Sequence, residues 1–324
     1  MKKVLILFGR SNWKKSKPFG NKKYLYSYEY FYELCKKQGM QIYRASYQWY
    51  NHDNKKFDNA WTFEGKNKQW KRVSDIKPDL IFDKTKATPE AYYEKEKIAK
   101  EYSFLNDLHF TKLIDNKLYT GLLFPKWSKG NLLTKNVREL EIALENIKSE
   151  TVVLKPLEES GGRGIIIDKK DEILRLTKKN NFVFTPYIVQ EFINTSAGIP
   201  AVMKGVHDLR LVFINDMLVY SYYRQPAKEK LLANLVQGGR MEIVSLEKLP
   251  RELDPIISFT HNIFSPFPSK IFTVDIMFDE MQKPWIVELN SMPGMYFEPG
   301  QEKIRRHFYQ KLLEVIRNEC VNQI

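Results

Sequence analysis

Two apolar segments near the end of the chain carry oxygen-bearing side chains at the spacing of β-strands. In "IFTVDIMF" (271–278), alternation puts Asp275 on the face opposite four apolar side chains. In "PWIVELN" (284–290), Glu288 and Asn290 share one face, opposite Val287 and Leu289. If the two strands pair as a hairpin across the short turn "DEMQK", Asp275, Glu288 and Asn290 converge on one surface.

Two carboxylates and an amide oxygen are hard ligands, which suit Mg²⁺ and suit zinc poorly. Because Mg²⁺ keeps water ligands and accepts phosphate oxygens, such a trio indicates a nucleotide site rather than a closed structural metal site. The alternative is an ordinary strand whose polar face meets solvent. Spacing alone does not decide between these two interpretations.

A glycine-rich turn provides the type of backbone that can approach phosphate groups. In "LKPLEESGGRGI" (154–165), Gly161, Gly162 and Gly164 allow positive φ angles, so the turn could aim N–H groups at phosphate oxygens. The segment reads as strand, turn, strand, unlike a P-loop, and a merely flexible hairpin is the alternative. Lys155, beside the turn, is either a phosphate ligand or a surface residue whose stem is buried.

The segment "HDLRLVF" (207–213) places Asp208 and Arg210 on one strand face, with three apolar side chains on the other. The two charged residues could form a surface ion pair, which would add little stability. In a cleft, Arg210 could instead stabilise charge on a transferring phosphoryl group. His207 falls on the apolar side, which favours a structural role.

The elements that position these residues differ between the two parts of the chain. The first third reads as an α/β unit, with a buried strand over residues 2–8, a basic loop, a helix ending near Gly39, and strands at "MQIYRAS" and "DLIFDK". The remainder reads as an α+β design of antiparallel strands with helices. Helices are predicted over about residues 89–102, 114–123 and 137–149. The pattern does not place residues 47–74.

Composition narrows the functional classes. The 324 residues allow two or three structural units. No apolar run is long enough for a membrane span or a signal sequence, so we expect a cytoplasmic protein without a membrane partner. Cys35 and Cys320 lie far apart and indicate neither a disulfide framework nor a zinc site. The formal charge of +13 suits anionic small substrates or a solvated basic surface, and no nucleic-acid module is recognisable.

Seven segments, in this order, resemble the ATP-grasp superfamily of carboxylate–amine ligases. They lie between Ile114 and Gly294 and read "DNKLYTGLLFP", "VVLKPLEESGGRGI", "VQEFI", "HDLRLVF", "ANLVQGGR", "VDIMF" and "VELNSMPG". Within the superfamily, "LANLVQGG" is similar to the branch of glutathione synthetase and ribosomal-protein glutamate ligase. The ending "ELNSMPGM" also resembles D-alanine:D-alanine ligases.

The resemblance implies a role for each matching residue. The lysines that hold ATP phosphates would be Lys117 and Lys155. The mobile flap above them would include Ser160, Gly161, Gly162 and Gly164. The linker that meets adenine would be Gln190, Glu191, Phe192 and Ile193, and Asp208 would lie near the ribose. The residues around an acyl-phosphate would be Arg210, Arg224 and Asn234. The ligands of two Mg²⁺ ions, with Mn²⁺ as a substitute, would be Asp275, Glu288 and Asn290.

The resemblance also implies a fold and a reaction. The fold would be a preATP-grasp α/β domain (1–113) followed by two α+β lobes that clasp ATP (114–193 and 194–324). Such enzymes transfer the γ-phosphoryl group of ATP to a carboxylate, and an amine of an amino acid or short peptide then displaces phosphate. Two other functions stay open: a kinase that phosphorylates a hydroxyl, and a nucleotide-binding protein without turnover. Assembly into a homo-oligomer also stays open.

The first third matches no known amino-acid pocket. In the superfamily, the first strand–helix loop and the turn of the "NSMPG" segment lie near the acceptor substrate. The loop from Gly9 to Lys23 is rich in Lys and Arg, which suggests an anionic acceptor, and a solvent loop without function is the alternative. Lys84 occupies a place where relatives often have a substrate-contacting basic residue.

Overall fold

The computed structural model of the chain describes residues 1–9, 18–19, 23–65, 69–85, 88–157, 162–179, 182–226 and 239–321. The first third alternates strands and helices around a six-stranded sheet. Its elements are β1 (Lys2–Phe8), α1 (Lys23–Lys37), β2 (Met40–Ser46), β3 (Tyr50–Asn51), β4 (Lys56–Phe57), β5 (Ala60–Glu64), β6 (Gln69–Val73), β7 (Leu80–Asp83), α2 (Pro89–Ile98) and β8 (Phe104–Leu105).

The first sheet is parallel at its centre and antiparallel at one edge. Its strand order is β6-β5-β2-β1-β7-β8, in which β2, β1, β7 and β8 run parallel and β5 pairs antiparallel with both β2 and β6. The middle of β1 is fully buried, as expected for a parallel strand covered on both faces. The structure confirms the predicted strand over residues 2–8. It also places β3 to β6 in the stretch that the sequence pattern left unassigned.

A four-stranded antiparallel sheet follows. Its region contains α3 (Leu108–Ile114), α4 (Lys117–Leu123), β9 (Asn131–Thr134), α5 (Val137–Asn146), β10 (Thr151–Pro156), β11 (Ile166–Lys169), α6 (Lys170–Thr177) and β12 (Tyr187–Glu191). The strand order is β11-β10-β12-β9, so the strands on either side of the glycine turn pair directly, as predicted. Apolar residues of α5 and α6 pack against β10 and β12 and leave the other face of the sheet for the site.

A five-stranded antiparallel sheet forms the last part. Its region contains β13 (Asp208–Ile214), β14 (Met217–Gln225), β15 (Arg240–Val244), α7 (Asp254–Phe264), β16 (Ile271–Phe278), β17 (Pro284–Asn290) and α8 (Glu302–Val321). The strand order is β15-β14-β13-β16-β17. The sequence pattern had not predicted β15. The α/β first part and the α+β remainder agree with the predicted fold class.

One face of β13 is charged in the first half of the strand and apolar in the second half, and the charged half lies at the site. Val212 and Ile214 pack into a core shared with α1, α8 and the first sheet. Asp208 and Arg210, earlier on the same face, lie outside that core. The three larger sheets take their strands from residues 2–105, 131–191 and 208–290, and β3 and β4 pair separately as a two-stranded sheet. The domain boundaries at 113/114 and 193/194 stay predictions. Among the described residues, no helix is long and apolar enough to cross a membrane.

Candidate active site

A row of charged side chains crosses four neighbouring strands of the five-stranded sheet. Cross-strand pairs join Asp208 on β13 to Arg224 on β14, Arg210 on β13 to Asp275 on β16, and Asp275 to Glu288 on β17. Directly opposite residues of antiparallel strands lie on the same face, so the pairings form one continuous row. The faces of β13 and β16 behind the row pack in the apolar core, as predicted.

Two arginines hold the carboxylate at the centre of this row. Arg210 donates from Nε to Asp275 Oδ1 at 2.6 Å and from Nη2 to Oδ2 at 2.5 Å. Arg224 donates from Nη2 to Asp275 Oδ2 at 2.8 Å and also pairs with Asp208. The interpretation of Asp208 and Arg210 as partners of each other is therefore wrong. They are successive residues of one face, and each finds its closer partner directly across on a neighbouring strand.

The two aspartates of the row differ in their tendency to ionise. Burial opposes the charge on Asp275, but Arg210 and Arg224 outweigh it and lower the pKa of this carboxyl below its usual value. Burial raises the pKa of Asp208 to about 6, although Arg224 acts in the opposite direction. The two arginines therefore favour the charged form of Asp275, whereas burial favours the neutral form of Asp208.

Lys155 lies at the junction between the two antiparallel sheets. Its side chain is 3% exposed, and Nζ donates to Gln190 Oε1 at 2.8 Å and to the carbonyl oxygen of Val287 at 3.2 Å. Burial lowers the pKa of Lys155 to about 8, while the neighbouring Glu288 raises it and Lys117 lowers it further. The ammonium group thus lies close to both the carboxylate row and the second lysine.

A β-bulge in β17 turns the Val287 carbonyl toward Lys155. Asp275 pairs with Glu288 and Ile276 pairs with Ile286, so Val287 is the extra residue. The prediction that Val287 and Leu289 share the apolar face is wrong, because Ile286 and Leu289 are the buried pair. A bulge displaces one residue from simple alternation, and it places Glu288 and Val287 together on the site side.

Lys117 is the first residue of α4 and is 5% exposed. The preceding Asn116 caps the helix by accepting from the N–H of Leu118 at 3.0 Å. Lys117 Nζ donates to the carbonyl oxygen of Leu157 at 3.2 Å, immediately before the glycine turn. Two buried ammonium groups therefore lie near one turn, an arrangement that favours an anionic ligand such as phosphate.

The glycine turn has the backbone conformation expected of it. Gly162 and Gly164 have φ angles of 73° and 69°, which side-chain-bearing residues rarely adopt. A Cβ on Gly164 would also lie 2.9 Å from Pro156 Cγ. Ser160 and Gly161 of the predicted flap, and Asn234, lie outside the described residues.

The predicted adenine linker lies at the end of β12, the strand that pairs with β10, which contains Lys155. Gln190 and Glu191 end β12, and Ile193 is 6% exposed just beyond it; Phe192 donates its N–H to the carbonyl oxygen of Thr151 at 3.3 Å. Gln190 is 3% exposed, and its amide nitrogen has no partner among the described residues. The side chain of Asn131, directly across on β9, likewise has no partner there. These two amides can bind the polar edge of a ligand.

The first sheet contacts the site at the turn that follows β17. Lys84 follows β7, and its Nζ donates to the carbonyl oxygen of Pro293 at 2.6 Å. Burial lowers the pKa of Lys84 to about 7, although Asp83 and Asp115 act in the opposite direction. The carboxyl end of a parallel strand thus lies against the turn that follows Asn290, which is a common position for a ligand cleft.

Residues 127–316 match the model of the RimK-like ATP-grasp domain. The chain belongs to this family. The matched range includes the charged row, Lys155 and the glycine turn, and it begins after Lys117. The ATP-grasp resemblance carried by the seven segments is confirmed.

The matching curated proteins are distant relatives. The glutathione synthetase of Bradyrhizobium diazoefficiens is 25% identical over 181 residues, which cover 55% of this chain and 54% of that protein. A probable alpha-L-glutamate ligase of Psychromonas ingrahamii is 26% identical over 161 residues, which cover 49% of this chain and 47% of that protein. The chain thus spans about half the length of these curated relatives.

The likeness to solved structures extends over almost the whole chain. D-alanyl-alanine synthetase A of Vibrio cholerae has a TM-score of 0.65 at 11% sequence identity, with 99% of this chain and 98% of that chain covered. At this identity the likeness shows the fold alone. It confirms the ATP-grasp architecture that the sequence segments implied.

The donor set of this ATP-grasp chain fits a magnesium site. Asp275 and Glu288 face each other across β16 and β17, and Asn290 lies two residues further along β17. Within the described ranges, no group of three or more His, Cys, Asp or Glu residues is arranged to hold a metal, so the amide of Asn290 is needed to complete the trio. Both Asp275 oxygens contact arginines, and Oδ1, which accepts from Arg210 Nε, has a second lone pair with which it could bind a metal.

His207 is structural, as predicted. It is fully buried; Nδ1 lies 3.1 Å from the carbonyl oxygen of Gly205, and Nε2 accepts from the N–H of Phe278 at 3.1 Å. Both ring nitrogens are therefore used to join the segment before β13 to the end of β16.

The sequence pattern did not predict three polar residues near the site: Asn106, Asp115 and Asn131. Asp115 lies two residues before Lys117 within the first matching segment, so its position there could have indicated that it belongs to the site. Asn106 and Asn131 lie outside all seven segments, and only the fold brings them to the site.

Proposed function

We propose that the protein is a Mg-ATP-dependent ligase that activates a substrate carboxylate as an acyl-phosphate and joins it to an amine, with release of ADP and phosphate. The observation that carries this proposal is the convergence of cations on one carboxylate row. Lys155 reaches β17 beside Glu288, and Arg210 and Arg224 both contact Asp275. Phosphoryl transfer depends mainly on such positioning and charge neutralisation.

The cations divide between two parts of the proposed reaction. Lys117 and Lys155 would hold the phosphate groups of ATP from the side of the glycine turn. Arg210 and Arg224 would bind the oxygens of the transferring phosphoryl group and then of the acyl-phosphate. Both arginines carry their charge in a nearly buried setting, with exposures of 12% and 13%, and they would exchange contacts with the aspartates for contacts with these oxygens.

The metal and nucleotide contacts follow from the same geometry. Glu288, Asn290 and Asp275 would hold two Mg²⁺ ions, for which Mn²⁺ would substitute; bound magnesium supplies neutralisation of phosphate charge. Gln190 and Asn131 would donate to and accept from the base, and the glycine turn would exclude water that hydrolyses an acyl-phosphate. Asp208 would lie near the ribose.

We propose an amino acid or short peptide as the acceptor, and an anionic one. Lys84 supports this, because an ammonium group has three donors and the carbonyl oxygen of Pro293 accepts one of them. The basic loop between Gly9 and Lys23 would add positive charge, although most of it lies outside the described residues. A cytoplasmic location, with its supply of ATP and amino acids, belongs to the same proposal.

The test is release of ADP and phosphate across a panel of amino acids and acidic peptides, with mass spectrometry of the products. Ligation predicts equal amounts of ADP and phosphate, together with a product heavier by one acceptor minus water. ADP with a phosphorylated product and no free phosphate would instead identify a kinase. Nucleotide binding without ADP formation across the panel would indicate a binding protein.

A further inference from the structure

Ser291, the residue after Asn290, is held at every polar atom. It is 2% exposed. Its N–H donates to Asp115 Oδ1 at 2.8 Å, and its hydroxyl donates to Asp115 Oδ2 at 2.7 Å. Its carbonyl oxygen accepts from Asn106 Nδ2 at 3.0 Å. Side chains bind all three polar groups of Ser291, so its position is tightly determined.

Asn106 fixes the same point to the neighbouring strand. Its Nδ2 also donates to the carbonyl oxygen of Ile271 at 2.7 Å, and its Oδ1 accepts from the N–H of Ile271 at 2.6 Å. The side chain is 1% exposed, and both amide hydrogens and the oxygen are used. The first residue of β16 and the residue after β17 are therefore held by one amide.

Asp115 connects this point to the helix that carries Lys117. It is the C-cap residue of α3, and Asn116, the next residue, caps α4. Burial raises the pKa of Asp115 to about 6, whereas the two hydrogen bonds from Ser291 lower it. A partly buried carboxylate that accepts two bonds from one residue forms a short connection between α4 and the end of β17.

We infer that Asp115 is a positioning residue that sets the distance between Lys117 and the carboxyl end of β17, where Glu288 and Asn290 lie. Asn106 holds the same end of β17 against the start of β16. This inference rests on the proposed function. With the connection in place, the lysine and the proposed metal ligands can contact the same phosphate groups from two sides. Without it, α4 and β17 retain their own structure but lose their mutual register.

The experiment compares the affinity for AMP-PNP with and without Mg²⁺ by calorimetry. Asp115→Ala is expected to reduce the Mg²⁺-dependent gain in affinity by about tenfold, as changes to residues that orient metal ligands usually do. Ser291→Ala, which keeps the backbone bond, is expected to reduce the gain less. The double variant is expected to match Asp115→Ala, because both changes remove one connection.

Asp107→Ala is the matched control. Asp107 caps the same helix, α3, by accepting from the N–H groups of His109 and Phe110, and it does not contact Ser291. It should lower the melting temperature but leave the Mg²⁺-dependent gain unchanged. An unchanged gain in folded Asp115→Ala, or an equal loss in Asp107→Ala, would overturn the inference. If Asp115→Ala does not fold, Ser291→Ala takes its place. An unchanged gain in folded Ser291→Ala, or an equal loss in Asp107→Ala, would then overturn the inference.

The binding measurement separates this inference from the proposed function. If the wild-type protein binds Mg²⁺ and AMP-PNP but forms no amide product, the ligase proposal fails and the positioning role is still tested. If ligation proceeds and the variants keep the full Mg²⁺-dependent gain, only the positioning role fails.

Discussion

Arg210 and Asp275 form a two-point ion pair across β13 and β16, with Nε to Oδ1 at 2.6 Å and Nη2 to Oδ2 at 2.5 Å. Both side chains are largely buried, with exposures of 12% and 4%. The pair therefore holds a proposed metal ligand and a proposed phosphate-binding arginine together before substrate arrives. Binding of a phosphoryl group to Arg210 and of metal to Asp275 would replace this contact with two ligand contacts.

The ion pair predicts a specific stability effect. Arg210→Ala leaves Asp275 buried with Arg224 as its remaining partner, and we expect a loss of about 3 kcal/mol in the free energy of unfolding. Urea-induced unfolding measures it. The double variant Arg210→Ala/Asp275→Ala should lose clearly less than the sum of the two single variants. Additivity within about 0.5 kcal/mol would show that the two residues do not interact.

Glu288 is the most direct test of the proposed metal site. Glu288→Gln removes one ligand charge while keeping the shape of the side chain, and we expect ADP formation to fall below about 1% of wild type with cooperative melting retained. Glu247→Gln is the control, because it removes the same charge at an exposed position of the same lobe. Undiminished turnover in Glu288→Gln would reject the assignment.

Alternation along single strands predicted much of the charged row. The apolar faces of β13 and β16 and the opposite positions of Asp208, Arg210 and Asp275 follow directly from period-two spacing. The bulge at Val287 did not follow, because a bulge depends on how two strands pair and not on one strand's sequence. The partners of Asp208 and Arg210 were missed for the same reason.

The sequence pattern could not predict contacts between residues that lie far apart in the chain. Asp115 and Ser291 are 176 residues apart, and nothing in the spacing of either segment indicates that they meet. The resemblance to a family predicted the roles of the lysines and of the metal trio, because their types recur at fixed places in ordered segments. Asn106 belongs to no such segment, so only the three-dimensional fold reveals it.

The basic loop from Gly9 to Lys23 leads to a prediction about which acceptor the protein prefers. Replacing Lys14, Lys15 and Lys17 by Gln should raise the KM for an anionic acceptor several-fold and leave the KM for ATP nearly unchanged, because opposite charges steer the acceptor. Steady-state kinetics at two ionic strengths measures this. The control replaces three exposed lysines elsewhere, Lys36, Lys37 and Lys100. Equal changes in both KM values, or none, would count against an anionic acceptor.

Lys155 predicts how ATP binding and turnover depend on pH. Its pKa is lowered to about 8 from 10.5, chiefly by burial, so the side chain loses its positive charge as the pH rises through 8 rather than through 10. The free enzyme should therefore bind ATP less well above pH 8, and kcat/KM for ATP should fall on the alkaline side, since this ratio reports groups of the free enzyme. At saturating ATP, bound phosphates favour the charged lysine, so the fall in kcat should move to higher pH. Lys155→Arg keeps its charge and should remove the fall near pH 8 even if its activity is lower. A fall near pH 8 of the same size in Lys155→Arg would assign the titration to another group.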